Sequence, residues 1–135
     1  MLKRINIITI ILSSLIIISC KSNNELAMER GIYFYENNNY YEAANQFNKV
    51  ILTYPENISK MDLESLEILA QSYQQLALCQ SKLAMESSDL KNQKIYFNDA
   101  LKNIKEAERL ATKSNKRQEY RKTLLGIKNQ LDLLD

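Results

Sequence analysis

The chain has 135 residues, of which 45% are hydrophobic and 25% are charged, and this composition is typical of one small globular domain. It contains two glycines, one proline and no histidine, and its formal net charge is +2. Scarce glycine and proline favour an all-α fold. The lack of histidine argues against an enzyme because the commonest general base is missing, and the near-zero charge argues against a nucleic-acid binder.

The first twenty residues have the pattern of an export and anchoring signal. Lys3 and Arg4 precede an apolar stretch over residues 5–18, which is shorter than the roughly 20 residues that a membrane-spanning helix needs. The following Ile17-Ile18-Ser19-Cys20 resembles a loose, spirochaete-like form of the bacterial lipobox, in which the cysteine is acylated and becomes the new N-terminus. The resemblance implies a lipoprotein signal peptide over residues 1–19, lipidation of Cys20 and a tether over residues 20–24. The alternative is an uncleaved N-terminal anchor in which Cys20 has no role.

The next stretch predicts two helices that face each other across Asn37-Asn38-Asn39. Over residues 24–57 its special positions resemble those of the 34-residue tetratricopeptide repeat. They are the small Gly31 and Ala43, the aromatic Phe34, Tyr40 and Phe47, the aliphatic Val50 and the terminal Pro55. Gly31 and Ala43 would let the two backbones approach, and Pro55 would end the second helix because it lacks an N–H.

A second, longer repeat is predicted over residues 62–113. Apolar residues at helical spacing run from Leu63 to about Glu86, Ser87-Ser88-Asp89 breaks the pattern, and a further helix follows. A last apolar stripe over residues 116–135 predicts a C-terminal capping helix. The predicted fold is therefore all-α, an antiparallel helix-turn-helix stack of about five helices that resembles tetratricopeptide repeats.

In tetratricopeptide repeats the concave wall is formed by one face of each first helix, and the resemblance implies ten candidate partner-binding residues. They are Glu25, Met28, Ile32, Tyr35 and Glu36 in the first pair, and Glu64, Glu67, Gln71, Gln74 and Gln75 in the second. Methionine and aromatic side chains beside acids suit an extended peptide or a partner helix, because such side chains are over-represented at protein interfaces. The alternative is that these residues pack under the tether or against a neighbouring helix.

The remaining residues give no sign of chemistry: the sequence predicts no catalytic residue, metal ligand set, cofactor or small-molecule substrate. Cys79 is expected to be a half-buried helix residue rather than a nucleophile, because no histidine is available to activate it. One surface is rich in basic residues and could touch anionic lipid or an acidic partner, or could simply solvate a turn. Its members are Lys113, Lys116, Arg117, Arg121 and Lys122.

A family resemblance covers about Cys20 to Gln75. The lipobox, the repeat ending Leu52-Thr53-Tyr54-Pro55 and the helix segment Ala70-Gln71-Ser72-Tyr73 resemble the start of the BamD outer-membrane assembly lipoproteins. The resemblance implies a lipid-anchored protein on the periplasmic side of the outer membrane that binds a BamA-like β-barrel insertase and helps to deliver unfolded barrel proteins. The chain is too short for the five repeats of that family. Alternatives are an adaptor for another envelope complex and a ligand-binding lipoprotein displayed at the cell surface.

Overall fold

The computed structural model describes residues 21–135, and the predicted signal peptide and Cys20 lie outside that range. The described residues form five α-helices and a short 3-10 helix at Ile58–Lys60. The helices are α1 (Asn23–Glu36), α2 (Tyr40–Leu52), α3 (Leu63–Glu86), α4 (Leu90–Leu110) and α5 (Ser114–Asp132). No β-strand occurs among these residues, so the predicted all-α fold is confirmed for this part of the chain.

Side-chain caps fix where four of the helices begin. Ser22 and Glu25 form a capping box at α1, with the Ser22 N–H donating to the Glu25 carboxylate at 2.7 Å, so α1 begins at Asn23. Asn39, Asp62 and Asp89 accept a bond from the backbone two or three residues into α2, α3 and α4. A side-chain cap of this kind is missing only from α5 within residues 21–135.

Each helix packs mainly against the next helix along the chain, as in an antiparallel stack. The amide of Asn24, at the start of α1, donates to Thr53 just after α2 at 2.9 Å. At the other end, Lys94 near the start of α4 forms an ion pair with Asp135 beyond α5 at 2.7 Å. The five-helix antiparallel order agrees with the prediction, while the assignment of the helix pairs to tetratricopeptide repeats stays a prediction.

The first core cluster joins α1, α2 and α3. Its buried side chains are Tyr40, Ala43, Phe47, Leu76 and Cys79. A Cβ atom on Gly31 would lie 2.5 Å from the Phe47 ring, so the Phe47 side chain occupies the space that this glycine leaves. The predicted approach of the two backbones at Gly31 and Ala43 stays a prediction. Complete burial of Phe47 contributes on the order of 1.5–3 kcal/mol to stability.

The second core cluster joins α3, α4 and α5. Its large buried members are Leu69, Phe97, Ile104, Leu110, Tyr120 and Ile127. Small residues such as Ala70, Ala77 and Ala100 are completely buried between them and allow the helices to approach. The helices of this part are long, since α3 has 24 residues and α4 has 21, compared with 14 in α1. The break after Glu86 lies where the sequence predicted it.

Candidate partner-binding groove

The helices α1, α3 and α5 lie side by side on one face of the stack. Between α1 and α3, the Ser72 hydroxyl oxygen lies 3.2 Å from the Met28 sulfur, while its hydrogen is donated to the Ile68 carbonyl at 2.8 Å. Between α3 and α5, the Gln74 amide donates to the Glu119 carboxylate at 3.0 Å. Alternate helices therefore build this face, and α3 occupies its centre.

An open groove of about 330 Å³ lies on this face, toward the C-terminal ends of the three helices. We call it the α1–α3–α5 groove. Its wall is formed by Tyr35, Leu78, Ser81, Lys82, Met85, Phe97, Thr123, Gly126, Ile127 and Gln130. Most of this wall is apolar, and Met85 contributes an exposed thioether with 55% of its surface accessible. A Cβ atom on Gly126 would meet nothing within 4 Å, so this glycine leaves part of the groove empty.

Tyr35 is the one predicted partner-binding residue that lines this groove. Its ring meets the Tyr40 ring edge-on, with the ring centroids 5.3 Å apart. Burial raises the pKa of the Tyr35 hydroxyl, so the group remains a neutral hydrogen-bond donor near pH 7.

The other predicted residues of α1 lie outside the groove lining. The Glu25 carboxylate is engaged in the capping box, and Met28 is half-buried against Ser72. Ile32, with 38% of its surface exposed, and Glu36 remain accessible to a partner.

The predicted residues of α3 divide between exposed and engaged positions. Glu64 and Gln71 are exposed, and Gln75 is half-buried. The Glu67 carboxylate accepts from Lys113 at 2.9 Å and Thr112 at 2.7 Å, and these two bonds lower its pKa.

Gln74 was expected on the open wall, but it is buried with 6% of its surface exposed. Its side-chain amide donates a hydrogen bond to Glu119 of α5 and is therefore not available to a partner. The reason is that α5 covers this side of α3. The sequence interpretation did not foresee that the capping helix would lie over this position.

Sequence reasoning missed the residues of α3 that form most of the groove floor, namely Leu78, Lys82 and Met85. The template of a 34-residue repeat ends the first helix of each pair before these positions, and α3 continues past them to Glu86. The apolar spacing of Leu78 and Met85, one α-helical heptad apart, was the available signal.

Cys79 lies behind Tyr35 and is completely buried, not half-buried as expected. Burial raises the pKa of its thiol to about 12, so the thiol stays protonated at neutral pH. A protonated, enclosed thiol is a core residue and a poor nucleophile.

The predicted basic surface is largely compensated by acids. Its ion pairs are Lys113 with Glu67 at 2.9 Å, Lys116 with Glu119 at 2.9 Å and Arg121 with Glu108 at 2.7 Å. Arg117 donates to the Ala111 carbonyl at 2.8 Å. These contacts favour the interpretation of a solvated, self-compensated turn, and contact with anionic lipid stays a prediction.

In the described range, residues 21–135, no three His, Cys, Asp or Glu side chains gather as they would around a metal ion. None of its helices is long and apolar enough to span a bilayer.

Comparisons with protein-family models, with curated proteins and with solved structures each gave no match. The resemblances to a lipobox, to tetratricopeptide repeats and to the BamD family therefore depend on the sequence motifs alone.

Proposed function

We propose that this protein is a membrane-tethered scaffold that binds a partner protein in the α1–α3–α5 groove. The observation that carries the proposal is the groove itself, a concave, mostly apolar surface formed by α1, α3 and α5 together with Phe97 of α4. Concave apolar surfaces with a few polar groups are the usual binding sites of proteins, and methionine and aromatic side chains such as Met85 and Tyr35 are common at protein interfaces.

The polar groups of the groove support binding better than catalysis. The Ser81 and Thr123 hydroxyls donate to carbonyl groups of their own helices, to Ala77 at 2.9 Å and Glu119 at 3.3 Å. Neither hydroxyl is hydrogen-bonded to a base, as an activated nucleophile would be.

The tether comes from the lipobox-like Cys20. Acyl chains on this residue would hold the protein on a membrane, since each buried CH₂ contributes roughly 0.8 kcal/mol and several chains together give stable anchoring. Because α1 begins at Asn23, the helical stack would start within a few residues of the lipid. The groove lies at the opposite, C-terminal end of α1, so the tether would be attached at the end of this helix away from the groove.

The motifs shared with the BamD family identify the machinery in this proposal. We place the protein on the periplasmic side of the outer membrane, as an accessory subunit in β-barrel assembly with a BamA-like insertase as its partner. An adaptor of another envelope complex would use the same groove for a different protein, and a surface lipoprotein would face outward.

The test is purification of the full-length lipoprotein from a mild-detergent extract, followed by identification of the proteins that co-purify. We compare the wild type with Gly126→Leu, which fills the empty part of the groove, and with Tyr35→Ala. Tyr33→Ala is the matched control, because Tyr33 lies on the same helix with 62% of its surface exposed and outside the groove lining.

We expect the wild type and Tyr33→Ala to retain the insertase and Gly126→Leu to lose it. Retention of the insertase by Gly126→Leu would refute the groove as the interface. If the wild type co-purifies with a different envelope complex, that complex would be the partner and the proposed role in β-barrel assembly would be refuted. Digestion of the protein by protease added to intact cells would refute the periplasmic location.

A further inference from the structure

Lys82 stands apart from the other basic residues of the described chain. Among the lysines and arginines of residues 21–135, Lys82 and Lys94 are the two that are half-buried, and the rest are exposed. Lys94 is compensated by its ion pair with Asp135 at 2.7 Å. Lys82 has no acid within ion-pair distance in the described part of the chain, although it lies in the wall of the α1–α3–α5 groove.

An uncompensated ammonium in an apolar wall has an energetic consequence. A lysine can bury its stem and still hold its head group in water. A partner that covers the groove would remove that water, and the ammonium would then need an acceptor from the partner.

The other polar groups of the groove wall carry no charge. The Ser81 and Thr123 hydroxyls already donate within their own helices. The Gln130 amide makes no side-chain hydrogen bond to the described residues and is exposed at the rim. Among the described residues that form the wall, Lys82 is the one charged side chain, and no carboxylate is present to compensate it. Such a wall favours an acceptor-rich, negatively charged group.

We infer that the α1–α3–α5 groove recognises a protein segment in which an Asp or Glu carboxylate lies beside a large apolar side chain, and that Lys82 is the residue that selects the carboxylate. The apolar side chain fills the space next to Gly126, Leu78 and Met85, and the carboxylate accepts from the Lys82 ammonium. The inference rests on the proposed function, because it specifies the chemistry of the partner in the same groove.

The test uses a random peptide display library and then one synthetic peptide from the selected set. We expect selection on the wild-type protein to enrich peptides with Asp or Glu next to Leu, Phe or Met. The best peptide is compared with its amide twin, in which Asn or Gln replaces the acid. The amide twin should bind about tenfold more weakly, which lies between the effects of exposed and buried charge pairs.

Lys82→Met is the diagnostic variant, because methionine keeps the apolar stem and removes the charge. It should bind the acidic peptide and its amide twin equally well. Lys102→Met is the matched control, since Lys102 is exposed on α4 outside the groove, and it should keep the wild-type preference. Thermal unfolding of both variants checks that each one is folded.

Equal binding of the two peptides by the wild type, or an unchanged preference in Lys82→Met, would overturn the inference. Failure to enrich any peptide would also overturn it. Saturable binding of dodecanoate that depends on Lys82, without peptide binding, would identify the ligand as an anionic amphiphile instead. If Gly126→Leu still abolishes partner co-purification in these cases, the proposed function stands without the carboxylate.

Discussion

The two glycines of the chain lie in helices and have opposite surroundings. On Gly31 a Cβ atom would lie 2.5 Å from the Phe47 ring, which is completely buried. On Gly126 it would meet nothing within 4 Å. Gly31→Ala should therefore lower the free energy of unfolding by about 1–3 kcal/mol through overpacking. Gly126→Ala should raise it by about 0.5–1 kcal/mol, because alanine favours the helix.

Urea denaturation followed by circular dichroism measures both changes. Adding Phe47→Leu to Gly31→Ala should give a smaller combined loss than the sum of the two single losses, because the smaller side chain relieves the clash. A stabilising Gly31→Ala would show that the first helix pair is packed less tightly than described.

The buried thiol of Cys79 gives a second prediction at this scale. In a Cys20→Ser chain, maleimide at pH 8 should label Cys79 slowly in the folded state and rapidly in urea, since reaction needs an exposed thiolate. Burial raises the pKa of this thiol from the ordinary 9.0 to about 12, so its contribution to stability should be lost as pH rises from 9.0 toward about 12. Equal labelling rates in both states would place the thiol at the surface.

At the scale of helices, two carboxylates hold α5 and the turn that precedes it against α3. Bonds from Lys113 and Thr112 lower the pKa of Glu67, and bonds from Lys116 and Gln74 lower that of Glu119. A carboxylate whose pKa is lowered by folding stabilises the folded protein at pH values above its ordinary pKa of 4.5. This stabilisation is lost as the pH falls through the lowered pKa of the folded state. The melting temperature should therefore decrease as the protein is acidified below that value.

A variant with Glu67→Gln and Glu119→Gln should show a weaker dependence of melting temperature on pH in this acid range. Glu64→Gln is the matched control, because Glu64 is exposed on the same helix and forms no ion pair with the described residues. Parallel melting curves for the double variant and the wild type would show that these contacts do not couple α5 to α3.

Helix positions could be predicted well from the sequence, and the open surface could be predicted only in part. Gly31 and the Asn37–Asn39 turn could be recognised from the residue types alone. A glycine leaves space for a neighbouring side chain, and an asparagine such as Asn38 tolerates a φ of 59°. Which face of α3 stays open depends instead on where α5 crosses it. Gln74 and Gln71 are three residues apart, yet one is buried and the other exposed. The spacing of residues along a helix shows which side chains share a face. It does not show where another helix will cross that face and cover them.

At the scale of the whole molecule, stability should rise from the N-terminal helix toward the centre. Only Gly31 is buried in α1, whereas α3 has nine buried residues, six of which belong to the two core clusters. In native-state hydrogen exchange, amides of α1 should therefore exchange fastest and those at the centre of α3 slowest. Equal protection from α1 to α5 would instead indicate one cooperative unit.

Two core substitutions should separate the core clusters. Phe47→Ala and Ile104→Ala remove completely buried side chains, at a cost of about 3–5 and 2–5 kcal/mol respectively. Phe47→Ala should accelerate exchange mainly in α1 and α2, because these helices depend on the first cluster. Ile104→Ala should accelerate exchange throughout α3, α4 and α5. An identical exchange pattern in the two variants would contradict this division.

The length of α3 has a consequence for how such a protein can diversify. Tyr35, near the end of α1, lies beside Leu78, and α3 continues for about two more turns to Glu86. Insertion or deletion of whole helical turns on both sides of Ser87, at the end of α3 and the start of α4, would lengthen or shorten the part of α3 that extends beyond Tyr35. The contact between Gly31 and Phe47 would not change. Insertions and deletions where α3 meets α4 would therefore change which ligand the groove prefers. They would leave the packing of the first helix pair unchanged.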